Sequence, residues 1–382
     1  MGTEASSRPH WAGRWESRFD RGLATALRRR GWSPRVEPYA GYGLAPGADP
    51  GWIRVLARVM LAPAPSASGG NQASDPTAQP KDSAPQLRRR RARMRTPETL
   101  RAVRGWRSFV TAQLPGTRVQ VVVGGAVHEV LTDRGGYIDV TLPATLGEGW
   151  HDVRILPEGG PAVLAPVRVI STRPCTGLLS DVDDTVMVTM LPRPLSAIWN
   201  LLVLHEDARL PVPGMSQLYA ELGGLDAAMP VVYLSTNAWN VAPALRRFLA
   251  HHRFPAGPLL LTDWGPTNTG LFRSGPEHKR QALDRLAAEL PHIRWVLVGD
   301  DGQRDPQIYR DFARAHPSAV RAVVIRELSS SEHVFAHGAP TAADAARPDG
   351  GTVTGTTVPE VRGPDGQTLA RRLRAAGILP LR

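Results

Sequence analysis

Cysteine is almost missing from this chain: Cys175 is the only one in 382 residues. A single thiol excludes an intramolecular disulfide, speaks against a zinc site and suits a reducing interior, so a cytoplasmic location is expected. Lysine is nearly as scarce. Only Lys81 and Lys279 occur, while arginine supplies every other side-chain cation. There is no apolar run of 18 or more residues, so no membrane-spanning helix is expected. The opening MGTEASSRPHWAGRWESRFD has no apolar stretch of the kind a secretory signal needs.

Charge is present but unevenly spread. The net value is +11. Residues 1–100 hold 17 Lys+Arg against 8 Asp+Glu, and the remainder hold 29 against 27. The basic excess therefore sits in the first quarter, which excludes an evenly basic nucleic-acid-binding domain, and no nucleic-acid partner is expected. Apolar content of 42%, with ten tryptophans, is enough to fill two cores.

Four segments follow from composition and periodicity. In residues 1–35, Trp15, Phe19, Leu23 and Leu27 recur every four positions with arginines opposite, which predicts a basic amphipathic helix. Such a helix either packs on its own protein or lies on an anionic membrane surface, a peripheral contact. Residues 36–172 read as short alternating strands with turn signals such as Gly124-Gly125, and predict a small all-β sandwich. Within it, residues 63–99 are expected to be a disordered insertion: 63–87 are Pro-, Ala-, Ser- and Gly-rich, and RRRRARMR follows at 88–95. Residues 173–330 switch to apolar strands alternating with helices. That pattern predicts an α/β fold: a Rossmann-like parallel sheet with helices on both faces. Residues 331–382 read as a loop and a short closing helix.

Ligands of parallel sheets bind at the carboxyl ends of the strands, so those ends are where chemistry is sought. LLSDVDDTV closes the first strand with Asp181, Asp183, Asp184 and Thr185. Adjacent carboxylates at a buried strand end repel each other unless a cation neutralises them. The second strand ends in Ser235 and Asn237, Lys279 opens the helix after the third, and GDDGQRDP closes the fourth with Asp300, Asp301 and Asp305. Few carboxylates and no sulfur suit Mg²⁺, which keeps its waters and accepts a phosphate oxygen. A hydroxyl and an ammonium suit the other phosphate oxygens. Asp184 and Thr185 read as turn residues, and Asp305 as a helix cap before Pro306. Asp263 and Trp264 could line the pocket, and the apolar run Ile198–Leu204 fits a flap or core packing.

Taken in order, Asp181-x-Asp183-x-Thr185, Ser235, Lys279 and Asp300 with Asp301 or Asp305 resemble the four motifs of the haloacid dehalogenase superfamily. SDVDDTV, VVYLSTNAWN, FPAGPLLLTDWG and LVGDDGQRDPQIY, with Gly41-Tyr42-Gly43 upstream, further resemble the actin-patch-associated phosphatidate phosphatase family (DUF2183). The resemblance covers roughly residues 36–330. It departs from the usual pattern at Ala238, where the family has Pro, and at Arg304, where it often has His; both positions bear on substrate choice. It implies a Mg²⁺-dependent phosphatase that hydrolyses a phosphomonoester, with phosphatidate at a membrane surface as the expected substrate. Asp181 would be the nucleophile that forms an aspartyl-phosphate, and Asp183 the acid/base. Ser235 and Lys279 would hold the phosphoryl group. Asp181, the Asp183 backbone carbonyl and Asp300 would bind the metal, with Thr185, Asn237, Asp301 and Asp305 in support. The competing readings are a phosphatase for a soluble metabolite or phosphoprotein, and a non-catalytic membrane-binding module.

Overall fold

The computed structural model describes residues 25–63, 112–188, 210–226, 228–262, 275–302, 304–329, 332 and 358–381. The basic run at 88–95, the Ile198–Leu204 run, Asp263 and Trp264 lie outside these residues. Of the predicted N-terminal helix, residues 25–29 are described and helical, and Leu27 packs against the core of the first sheet.

Fourteen strands make two sheets among the described residues. The first holds β1 (Trp32–Leu44), β2 (Trp52–Pro63), β3 (Ala112–Gln113), β4 (Arg118–Val123), β5 (Ala126–Leu131), β6 (Tyr137–Pro143), β7 (Gly149–Pro157) and β8 (Val163–Ile170). Their order is β3-β2-β1-β8-β7-β4-β5, with β6 also paired to β2. Every pairing is antiparallel except β1 with β8, where Gly41–Leu44 run beside Val167–Ile170. The expected Gly124-Gly125 turn joins β4 to β5, with Val123 opposite Ala126.

The second sheet holds β9 (Cys175–Asp181), β10 (Val231–Ala238), β11 (Leu259–Thr262), β12 (Ile293–Asp300), β13 (Val320–Arg326) and β14 (Glu360–Gly363). It is wholly parallel, in the order β11-β10-β9-β12-β13-β14. The helices α1 (Met215–Gly223), α2 (Ala242–His251), α3 (Gly275–Glu289), α4 (Asp305–Ala315) and α5 (Gly366–Ala375) accompany it.

The expected fold class is corrected by this arrangement. Strand (42%) outweighs helix (26%), and the larger sheet is a curled, mixed, mainly antiparallel half-barrel that no helical layers flank. A helix-flanked Rossmann-like fold therefore does not describe the chain, although the strand-rich N-terminal region agrees with the expected sandwich. The physical reason lies in the strands. Alternating residues such as Val119, Val121, Val123, Val153 and Ile155 turn one face into the concavity of the curl, where they bury each other in a core of their own. Outward residues of these strands, Arg118, Gln120 and Glu129 among them, alternate with the buried ones and meet water, so the sheet needs no second helical layer. β9 and β12 are apolar on both faces and bury almost every residue, and only that kind of strand requires helices.

Candidate active site

β9, β12 and β13 are neighbours, with β10 beside β9, so their carboxyl ends open onto one place. Asp181 is the last residue of β9, Asp300 the last of β12, and Asp305 the first of α4; each is 0% exposed. One carboxylate oxygen from each of the three lies within 4.8 Å of the other two. Lys279, near the start of α3 and 1% exposed, reaches into the group. Its Nζ lies 2.7 Å from Asp181 Oδ1 and 2.6 Å from Asp305 Oδ1.

One ammonium cannot serve three buried carboxylates. Asp181 Oδ2, both oxygens of Asp300 and Asp305 Oδ2 are buried with no hydrogen-bond partner among the described residues. Burial pushes the Asp181 carboxyl well above the usual range; Lys279 opposes that, and Asp305 and Asp183 add to it. Asp300 is raised too, by burial and then by Asp305 and Asp181. Burial works against the charge on Lys279, but Asp181, Asp305 and Asp300 outweigh it and push the amine up. Orphaned buried acceptors and raised carboxyls are the signs of a missing positive charge. The buried Asp181, Asp300 and Asp305 can hold a metal ion, and an all-oxygen donor set fits a hard divalent cation.

Asp183 is used differently. Past Asp181 the chain leaves the extended conformation: Val186 N–H donates to Val182 O, and Asp184 adopts φ 55°. The turn delivers the Asp183 carboxylate to the end of β10. There Oδ2 accepts Ser235 Oγ at 2.9 Å and Asn237 Nδ2 at 2.7 Å, and Asn237 N–H donates to Ser235 Oγ at 3.1 Å. Ser235 thus orients Asp183. Thr185 is fully buried in the same turn, its hydroxyl without a hydrogen-bond partner among the described residues. Asp301 is structural in its contacts, accepting Leu328 N–H at 2.9 Å. Asp305, read from sequence as a cap, is a full member of the carboxylate cluster.

Sequence reasoning passed over Arg326, which ends β13 and is 4% exposed. Its Nη1 donates to Asp184 O at 2.7 Å, Nε to Pro364 O at 3.2 Å, and Nη2 pairs with Glu332 at 2.6 Å. It ties the turn after β9 to the chain leaving β13 and β14. An arginine closing the apolar run RAVVIR was the available signal.

Gly299 allows Asp305 its position. A Cβ there would lie 2.6 Å from Asp305 Oδ2 and 2.8 Å from Tyr309 Cε2, and both are packed in place. Gly299→Ala is therefore expected to displace the Asp305 carboxylate and to cost about 1–3 kcal/mol of stability by overpacking. Urea unfolding measures it, and an unchanged midpoint would show that the helix yields freely.

Residues 176–327 match the family model described as "Phosphatidate phosphatase APP1, catalytic domain". The chain is 26% identical over 156 residues to phosphatidate phosphatase APP1 of Saccharomyces cerevisiae, covering 41% of this chain and 26% of that protein. It is also 26% identical over 157 residues to an uncharacterised protein of Schizosaccharomyces pombe, covering 40% of this chain and 25% of that one. The chain thus spans about a quarter of the length of these curated relatives. Among solved structures, a carbohydrate acetylesterase from Xanthomonas citri aligns over 56% of this chain and 62% of its own, at 12% identity. Its TM-score of 0.20 is too low to bear on the fold.

Proposed function

We propose, from the match of residues 176–327 to the family model of the APP1 phosphatidate phosphatase catalytic domain, that this chain is a phosphoric monoester hydrolase acting on phosphatidate. The observation that carries the reading is the cluster of Asp181, Asp300 and Asp305 with Lys279 between two of them, beside an independently held Asp183. Mg²⁺ is the ion this donor set suits. Held by Asp181 and Asp300, with Asp305 adjoining, it would neutralise the phosphate oxygens.

The chain's own residues supply the rest. Asp181 attacks phosphorus, forming a carboxylate O–P bond as the bond from phosphorus to the ester oxygen breaks, which gives an aspartyl-phosphate. Lys279, paired to Asp181 Oδ1, favours the ionised nucleophile against the effect of burial and holds one of its oxygens in place. Asp183 gives its proton to the departing alkoxide, the diacylglycerol oxygen. It then takes a proton from the water that cleaves the acyl phosphate, which releases inorganic phosphate and restores Asp181. Ser235 and Asn237 fix Asp183 through Oδ2, so this proton donor does not wander between the two steps. Among the described residues no helix is long and apolar enough to cross a membrane.

The test is phosphate release from phosphatidate in mixed micelles beside a panel of soluble phosphomonoesters, with Mg²⁺ and with EDTA. Turnover of soluble esters alone would replace the lipid reading with that of a metabolite or phosphoprotein phosphatase. No release from any ester would leave a binding module.

Metal binding should also be visible without turnover. With Asp181 and Asp300 raised, the folded chain holds more protons than the unfolded one between ~4, the ordinary carboxylate value, and the raised values. Stability therefore falls as pH rises through that window, and a cation that displaces those protons restores it. Mg²⁺ is expected to raise the unfolding temperature more at about pH 7.5 than at about pH 5.5. Equal shifts at both pH values would count against binding by these carboxylates.

A further inference from the structure

Gly41-Tyr42-Gly43 lies in β1, a full sheet away from the carboxylates, and the reaction above leaves it without a part. Its glycines permit a close approach of backbone. A Cβ on Gly41 would lie 2.2 Å from Arg54 O, and one on Gly43 2.3 Å from Trp52 O. The β1–β2 register shifts between Tyr39 and Tyr42. The shift turns Tyr42 out of the curled sheet's own core and into the core beneath the parallel sheet, where it is fully buried.

There the Tyr42 hydroxyl donates to Glu289 Oε2 at 2.6 Å, and Arg54 Nη1 donates to Glu289 Oε1 at 2.7 Å. Arg54 is itself held by Asp139 on β6 at 2.5 Å, and Arg285 of α3 reaches the same Asp139 at 3.5 Å. Glu289 is the last residue of α3. A carboxylate at a helix C-terminus is opposed by the helix dipole, so this acid earns its place only through its partners. Lys279 stands ten residues earlier on the same helix, about 15 Å along a stiff rod.

We infer that the curled sheet positions Lys279: Tyr42 and Arg54 grip the far end of α3 through Glu289, and thereby set where the ammonium stands between Asp181 and Asp305. Tyr42, Arg54 and Glu289 are positioning residues and touch no reacting atom. The inference rests on the phosphatase reading only for its consequence in turnover; the grip itself rests on the contacts.

The lysine content of the chain supplies the test, since only Lys81 and Lys279 carry a side-chain amine. The full chain is treated with limiting sulfo-N-hydroxysuccinimide acetate, and peptide mass spectrometry gives the ratio of Lys279 to Lys81 modification. Tyr42→Phe removes one hydrogen bond to the Glu289 carboxylate and Glu289→Ala removes two, and each should raise that ratio at least about ten-fold by local opening of α3. Val121→Ala, a core truncation in the curled sheet remote from the grip, serves as the control for general destabilisation. It should leave the ratio within about two-fold. An unchanged ratio in both grip variants, or an equal rise in the control, would overturn the inference. Failure of the wild-type chain to release phosphate would sink the reading of the site, while the ratio would still decide the grip.

Discussion

Asp181→Asn is expected to lower phosphate release by at least roughly 10³-fold, from phosphatidate and from any soluble ester the chain accepts. The amide is a poor nucleophile, and its nitrogen would face Lys279 Nζ where Oδ1 now stands 2.7 Å away, or else turn toward Asp300. The loss should fall on kcat, because the group acts in bond formation more than in holding substrate. Stability should move the other way. Asp181 is wholly buried and its carboxyl raised, chiefly by burial, so in EDTA at neutral pH the ionised group is a cost that the amide removes. A variant that is inactive yet unfolds no earlier than wild type in EDTA would match both expectations. Undiminished turnover in this variant would end the covalent mechanism.

Lys279→Met is expected to fail on both counts. The ammonium is 1% exposed and ion-paired to two carboxylates, and methionine fills a similar volume without charge. Removing it strands Asp181, Asp300 and Asp305 within 4.8 Å of one another with no protein cation between them. Breaking a buried pair in this way costs about 3–5 kcal/mol. Denaturant unfolding in EDTA reads that loss, and Mg²⁺ should recover part of it, since a divalent ion can take over the neutralisation. Turnover should drop by about 10²–10³-fold even in Mg²⁺, the scale of losing one preorganised charge at a developing oxyanion. If the variant matched wild type in both measurements, Lys279 would be an ordinary buried cation.

These expectations show how much of the site could be read early. Asp181, Asp183, Ser235, Lys279 and Asp300 were legible because each sits where an apolar strand ends or a helix begins, and such boundaries are local properties of sequence. Lys279 was conspicuous also as one of only two lysines. Their partners were less legible. Asp305 read both as a helix cap, because Asp before Pro serves that purpose in many chains, and as a supporting acid; only packing against Gly299 and Tyr309 aims its carboxylate at Lys279. Arg326 looked like a strand terminus, and it becomes a hub because the turn after β9 brings Asp184 O beneath it.

The fold divides in the same way. The sequence by itself marked most strands and helices, though not β1 or β14, and showed which strands are apolar on both faces and that polar residues gather at the carboxyl ends of one set, since hydrophobic period and turn chemistry act over a few residues. Tertiary structure alone decided that β1 runs parallel to β8, that the larger sheet curls around its own core, and that β14, far along the chain, completes the parallel sheet. It alone joined Tyr42 to Glu289 across 247 positions. Pairings of that range depend on the shape and burial of surfaces that exist only once the chain has folded.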